Sequence, residues 1–568
     1  MKQFEEKTDA NGQKFLETEL SGLIITRLPL LNKSTAFNYE ERSKFELEGL
    51  YPPHVSTLAE QRGRAYYNYK RFNDDLNKHI FLRVLQDRNE VLFYSLLAEH
   101  LEEFMPIIYT PTVAKAVELF SQIYRFPRGL VVSTENIDKI DELLDNLTLP
   151  DVQLIVATDS EGILGIGDQG FGGMAICIGK LSIYTAAAGI NPAYTLPVEL
   201  DVGTNRKDLL DDPMYLGVRH KRLEGKEYDD FIDKFVTGLK KKFPNVLLQW
   251  EDFSKQKAFS VLNKYQDSLA SFNDDIQGTG SVVLAGLLAA MRKNQQELKD
   301  QKFLVHGAGA GGVGVAKQII RGLMLEGLSE EEAKARIYLI DSRGLILNNR
   351  DGLEPYKLEL AKSPSDINSW TYEGKNPDLL DTIKNANITV ILGLSGQRSA
   401  FNKKIVKAVT KNTNYPIVFA LSNPTSNSEA IPKDIYKWTD GHAIVATGSP
   451  FDDVEYNGSK HSIGQGNNAY VFPGIGLGAI LSGASKITDS MLTASAVALA
   501  NYTSPKDLST GRVYPTISKL RSVSKHVAVA VIQEAVNSGV ATKDIPKDIP
   551  KYVEENMWKP EYLPLHKK

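Results

Sequence analysis

The chain has 568 residues, 42% of them hydrophobic and 24% charged, with a formal net charge of -4. That length predicts two or more domains, and the near-neutral balance argues against the net basic face that nucleic acid requires. The one cysteine, Cys177, excludes a disulfide within the chain, and no apolar run reaches the roughly 18 residues of a membrane-spanning helix.

The start, Met-Lys-Gln-Phe-Glu-Glu, reads as neither a secretory signal nor an Arg-rich transit peptide. A cytoplasmic protein is expected, and a mature mitochondrial protein would read the same way. The first hundred residues carry helical spacing at Leu58–Tyr69, Asn77–Val84 and Glu90–Phe104. Pro106 and Pro111 are expected to bracket a turn that holds Tyr109.

From Leu154 the texture becomes α/β. Leu154–Thr158 reads as a buried strand. Gly165–Gly173 is glycine-rich, as suits a loop that approaches a ligand or another backbone closely. A helix follows, with Lys180 expected near its start. A lone lysine is ordinarily solvated, but apolar flanks make this one a candidate for a buried amine of lowered pKa. Leu196–Val202 reads as the next strand.

Four acids then stand at the ends of core elements. Glu251 and Asp252 follow the apolar run Val246–Leu248, and Asp274 and Asp275 precede Gly278, where an apolar helix through Ser281–Met291 begins. Carboxylates there are costly unless neutralised. A hard divalent cation, Mg²⁺ or Mn²⁺, would neutralise them, although solvated turns carry such pairs too.

Residues 301–447 alternate strand and helix. Strand Lys302–His306 leads into Gly307-Ala-Gly309-Ala-Gly-Gly312 and a helix to about Glu326. A capping box, Ser329 to Glu332, opens the next helix. Strand Ile337–Ile340 ends in Asp341, and Ile388–Gly393, Ile417–Ala420 and Ala443–Thr447 read as further parallel strands. This is a dinucleotide fingerprint in context: Gly307, Gly309 and Gly312 let the backbone approach a pyrophosphate at a helix N-terminus. Asp341 lies beyond the usual ~20-residue gap because of the inserted capped helix. Its carboxylate would bond the ribose hydroxyls of NAD and disfavour NADP, with Ser342-Arg343 softening that preference. Further on, Gly464–Tyr470 and Phe472–Gly478 read as loops, Asp489–Asn501 as a small-residue helix, and the tail from Lys547 as a segment wrapping the surface or a neighbouring subunit.

Tyr109-Thr-Pro-Thr, Gly165-x-Gly-Asp-x-Gly, Gly179-Lys180-Leu, Leu200-Asp-Val-Gly-Thr-Asn, Glu251-Asp-Phe, Phe272-Asn-Asp-Asp-Ile-Gln-Gly-Thr, Leu421-Ser-Asn-Pro-Thr and Gly464-Gln-Gly-Asn-Asn together resemble the malic enzyme family. The match runs from about Leu31 to about Trp558, in order. It implies oxidative decarboxylation of (S)-malate to pyruvate and CO₂ with NAD and Mg²⁺ or Mn²⁺, and decarboxylation of oxaloacetate as a further activity. By the resemblance, Glu251, Asp252 and Asp275 are metal ligands, Lys180 the general base, Tyr109 the general acid and Asp274 the acid beside that lysine. Asn423 and Asn467 match residues that touch substrate or cofactor. The expected fold is α/β. A helical N-terminal region, 1–127, precedes a substrate and metal part, 128–276, completed by 468–535. A Rossmann-type, doubly wound NAD-binding domain, 277–467, and a tail, 536–568, make up the rest. A homotetramer built as a dimer of dimers is the family expectation, with malate as small-molecule partner.

Two positions depart from the pattern. Gly162 stands where the family commonly has an arginine that grips a substrate carboxylate, a contact of ~1.5–3 kcal/mol. Arg64 and Arg88 match a fumarate activation site, but the acid that accompanies them is Ser56 here. The sister malolactic enzymes share the glycine, releasing lactate with bound NAD, yet they carry Asp and Trp where this chain has Thr110 and Gln169. A catalytically silent scaffold would be expected to lose Lys180, Tyr109 or an acid, and all are present.

Overall fold

Thr57 opens α1 (Leu58–Tyr69) with a reciprocal capping box to Glu60, and Asp74 caps α2 (Asp75–Arg88) through the Asn77 amide. These are the first long helices of the computed structural model, which describes residues 3–147, 151–163 and 165–568. The chain forms two units: Met1–Leu248 with Glu555–Lys568, and Gln249–Glu554.

In the first unit the run predicted as one helix over Glu90–Phe104 is two, α3 (Glu90–Glu99) and α4 (Leu101–Ile108). The backbone leaves helical geometry at His100, whose ring stacks on Tyr66 with centroids 4.0 Å apart. Pro106 lies inside α4 rather than opening a turn. It forfeits one backbone bond in a helix already near its end. The chain becomes extended only at Tyr109. Tyr69, Leu82, Phe93, Phe104 and Ile108 form a core between these helices, each buried side chain of this size contributing about 1.5–3 kcal/mol.

Three parallel strands follow: β1 (Leu130–Ser133), β2 (Leu154–Thr158) and β3 (Thr195–Asp201), with β3 between the other two. Helix α5 (Met174–Ala188) crosses between β2 and β3 and is buried along nearly its whole length. Lys180 is therefore mid-helix, not near the start, because Met174–Cys177 belongs to the same helix. The tail returns to this unit. Leu565–Lys567 pairs in parallel with Lys14–Thr18, which pairs antiparallel with Glu5–Thr8.

The second unit starts within β4 (Leu247–Trp250). A π-turn at Asp274–Gly278 leads into α6 (Thr279–Asn294). The nucleotide-type sheet then forms as expected. Strand β5 (Phe303–His306) is followed by α7 (Ala310–Leu325), and β6 (Ile337–Asp341) by β7 (Val390–Gly393), β8 (Ile417–Ala420) and β9 (Ile444–Thr447). The spatial order β6-β5-β7-β8-β9 is parallel throughout, with Gly344–Leu345 added antiparallel beside β6 and Gly464–Gln465 parallel beside β9. The order reverses between β5 and β7, the switch point where open α/β sheets bind ligands at their strand ends.

Phe472–Ser482, read from its glycines as a loop, is helix α8. Its glycines serve contact rather than turning. A Cβ at Gly474 would lie 2.6 Å from the Val527 Cβ, and one at Gly478 would lie 2.7 Å from that of Val531. Both valines belong to the helix Leu520–Asn537.

Candidate functional site

In the second unit, Glu251, Asp252 and Asp275 each offer a carboxylate oxygen, and these atoms lie within 4.8 Å of one another. The sequence brings them together through two local devices. Strand β4 delivers Glu251 and Asp252 at its end, where Asp252 adopts a left-handed φ of 55°. The π-turn delivers Asp275, whose Oδ2 accepts from the Asp252 amide at 2.8 Å. Gln249 orients Glu251, its Nε2 donating to Oε2 at 2.7 Å. Glu251 and Asp252 are buried. Three carboxylates this close repel one another, and an all-oxygen set suits a hard divalent cation.

Asp274 is fully buried beside this cluster in sequence. Its Oδ2 accepts from Asn468 Nδ2 at 3.0 Å, and the same amide reaches Thr279 Oγ1 at 3.0 Å. Gly278 makes room for the carboxylate, since a Cβ there would stand 1.9 Å from Asp274 Oδ1. Asn468 lies within the Gly464-Gln-Gly-Asn-Asn motif, but no sequence pattern marks it as the partner of a carboxylate 194 residues away. Asn467 is engaged locally instead, accepting from the Ala469 amide at 2.9 Å.

The dinucleotide loop closes tightly. Gly307 has a φ of 119°, and a Cβ on it would meet Leu394 O at 2.4 Å. A Cβ on Gly312 would stand 1.7 Å from Gly307 O. Helix α7 therefore starts directly after β5, with its unpaired N–H groups at the strand end. Gly309 is the N-cap of that helix, and the Lys255 side chain passes over it. Asn423 follows β8 at the same end of the sheet, its Oδ1 accepting from Ser449 Oγ at 2.7 Å. Asp341 ends β6 as expected, but its carboxylate is already engaged. Arg350 donates to both oxygens at 2.8 Å, and Lys357 lies 3.7 Å away. Against the push of burial, Arg350 holds this carboxyl below the usual range. No local pattern links residues nine apart, so Arg350 was not legible in the sequence.

The first unit holds the other candidates. Lys180 is 1% exposed, and its Nζ lies 5.4 Å from the centre of the Tyr109 ring. The Gly-Asp loop and the Asp-Val-Gly-Thr-Asn loop are tied together through Asp168. It accepts from Arg222 Nη2 at 2.6 Å, Thr204 Oγ1 at 2.8 Å and the Asn205 amide at 3.0 Å. These bonds hold it below the usual carboxylate range against the opposing effect of burial. Behind them Glu199 is fully buried, accepts from Ser160 Oγ, and is pushed well above its ordinary value by desolvation. Arg64 donates to Ser56 Oγ at 2.9 Å, where the family pattern has an acid, and Arg88 ends α2 with an exposed side chain.

Comparison with known proteins bears on the whole chain. A family model described as malic enzyme, N-terminal domain, matches residues 86–266, and one described as malic enzyme, NAD binding domain, matches residues 276–536. The NAD-dependent malic enzyme of Idiomarina loihiensis is 48% identical over 550 residues, covering 97% of this chain and 98% of that protein. That of Photorhabdus laumondii is 50% identical over 542 residues, covering 95% and 96%. Among solved structures, the malic enzyme of Entamoeba histolytica aligns with a TM-score of 0.56 at 23% identity, covering 90% of each chain, a likeness of fold. No helix among the described residues is long and apolar enough to cross a membrane.

Proposed function

The chain belongs to the malic enzyme family, and on that premise we propose how its residues divide the work. The reaction is the oxidative decarboxylation of malate to pyruvate and CO₂ with NAD. The observation that carries the assignment of residues is the convergence of Glu251, Asp252 and Asp275 within 4.8 Å.

These three carboxylates would hold Mg²⁺ or Mn²⁺. Gly307, Gly309 and Gly312 would receive the dinucleotide pyrophosphate, with Asp341 and Asn423 as further contacts. When bound, the cation polarises the C2 oxygen of malate and NAD supplies the hydride acceptor. Lys180 takes the proton of the C2 hydroxyl. Tyr109 returns a proton to C3 after CO₂ has left. A phenol near its ordinary pKa of ~10 is a weak acid, and the Lys180 amine over its ring, once it has taken the hydroxyl proton, is the cation available to assist it. Asp274, held by Asn468, keeps the acid turn in place. With Gly162 lacking a charge, Asn467 and Asn423 are the neutral donors proposed for the substrate.

We further propose a division into a substrate and metal part, 128–276 with 468–535, and an NAD-binding part, 277–467. A soluble cytoplasmic homotetramer follows from the same resemblance. The exposed apolar side chains of Tyr124, Phe126 and Val131 offer a face for subunit contact. Arg64 and Arg88 are the candidates for an effector site.

The test is product analysis of the purified chain with malate, NAD and Mn²⁺. NADH absorbance rising in step with pyruvate supports the assignment. Lactate without NADH would move the chain to the malolactic sister group. Turnover unaffected by chelation of Mn²⁺ would remove the carboxylate cluster from the reaction.

A further inference from the structure

Helix α4 ends one residue before Tyr109, and the last carbonyls of a helix have no partner within it. Two side chains of α2, four residues apart and so on one face, supply partners. His79 Nδ1 donates to Ile107 O at 2.8 Å, and Arg83 Nη2 donates to Ile108 O at 2.9 Å. The other arm of the same guanidinium, Nη1, donates to Ser182 Oγ at 2.9 Å and Gln86 Oε1 at 2.6 Å. Ser182 stands two residues beyond Lys180 on α5. One planar group thus bridges the residue before Tyr109 and the helical turn of Lys180.

Two observations mark this bridge as directed. Asp87, a neighbouring acid on α2, pairs with Arg128 at 2.7 Å instead, so the charge of Arg83 goes to neutral acceptors. Gly179 lets α5 come up to the same carbonyl, since a Cβ there would lie 2.9 Å from Ile108 O and 3.7 Å from the Tyr109 ring.

We propose that Arg83 is a positioning residue for the reaction, fixing the Tyr109 side chain relative to Lys180 by tying Ile108 and Ser182 to one rigid fork. The proposal rests on the roles assigned above to Tyr109 and Lys180. A misplacement of about 1 Å at reacting groups can cost about 10²-fold in rate. Lysine would not substitute, because a point charge lacks the two parallel arms.

The experiment compares Arg83→Met, Arg83→Lys, Tyr109→Phe and the Arg83→Met/Tyr109→Phe double variant, all as full chains with Mn²⁺. Arg83→Met is expected to lower kcat by about 10- to 100-fold. Its NAD dissociation constant, read by NADH fluorescence, is expected to stay near wild type, and its Tm to fall because Ile108 O and Gln86 Oε1 lose a donor. Arg83→Lys should recover only part of the loss. In the Tyr109→Phe background, Arg83→Met should cost less than about twofold, because coupled residues are non-additive. A kcat for Arg83→Met within about twofold of wild type, or the same loss in both backgrounds, would overturn the proposal. If Arg83→Met does not fold, Ser182→Ala removes the other end of the bridge and is read by the same criteria. Tyr109→Phe with wild-type kcat would refute the acid role of Tyr109 itself. That result is separate from any obtained with Arg83.

Discussion

The Nζ of Lys180 lies 5.4 Å from the centre of the Tyr109 ring, on a side chain that is only 1% exposed. A buried amine is costly unless it is neutral or paired, and this one sits on a helix packed into a core, 5.4 Å from a phenol ring. Lys180→Ala is expected to reduce kcat by about 10²–10⁴-fold, the range for general acid–base groups. NAD binding, measured by fluorescence titration, should persist, because the dinucleotide fingerprint lies on other residues. A variant that turns over at close to the wild-type rate would remove Lys180 from the chemistry.

The three carboxylates of Glu251, Asp252 and Asp275 repel one another in the absence of a cation. Mn²⁺ should therefore raise Tm, and a chelator should remove the increment. A ligand at 100 times its Kd stabilises by about 2.7 kcal/mol. Asp275→Asn leaves a neutral amide in the set and should abolish the Mn²⁺-dependent part of Tm while preserving the metal-free value. Equal Mn²⁺ responses in wild type and variant would show that the ion sits elsewhere.

Much of this site was legible along the chain, and the remainder depended on packing between distant segments. The glycine run after β5 and the acids beside β4 and the π-turn are local signals, because turn geometry and strand ends demand particular residue types. The parallel strands of the second sheet followed from alternating strand and helix patterns, whereas their spatial order is set by packing. The Phe472–Ser482 helix was not legible, since glycines that admit Val527 and Val531 look the same in sequence as glycines that turn a loop. Arg83, Arg350 and Asn468 carry no sequence signal for a related reason. Their partners lie 25, 9 and 194 residues away, at separations no periodicity encodes.

Asp341 presents no bare carboxylate, since Arg350 donates to both its oxygens. Asp341→Ala would leave Arg350 without its acid, while Lys357 keeps Glu354 at 2.7 Å, and would make the site attractive to a 2′-phosphate. The NADP/NAD ratio of kcat/KM is expected to rise by about 10- to 100-fold, as a charge-assisted contact of about 1.5–3 kcal/mol implies. Adding Arg350→Ala should take most of that gain away. An unchanged ratio in Asp341→Ala would dismiss Asp341 as the selector.

His79 sets an acid limit on stability that can be separated from catalysis. Burial, helped by the charge of Arg83, lowers its pKa to about 3, against ~6.5 for a free histidine. Between those values the unfolded chain holds a proton that the folded chain does not, so stability rises with pH in that window. The contribution is fully present above ~6.5 and is lost as pH falls, by up to about 1.4 kcal/mol per unit. At about pH 5 the loss from this one group approaches about 2 kcal/mol. His79→Asn places an amide donor where Nδ1 donates to Ile107 O and cannot take up the proton. Urea midpoints measured from about pH 7 down to about pH 5 should fall less steeply for the variant, whatever its absolute stability. Parallel curves for the two proteins would mean that His79 is protonated in the folded state, and its part in capping α4 would have to be reassigned.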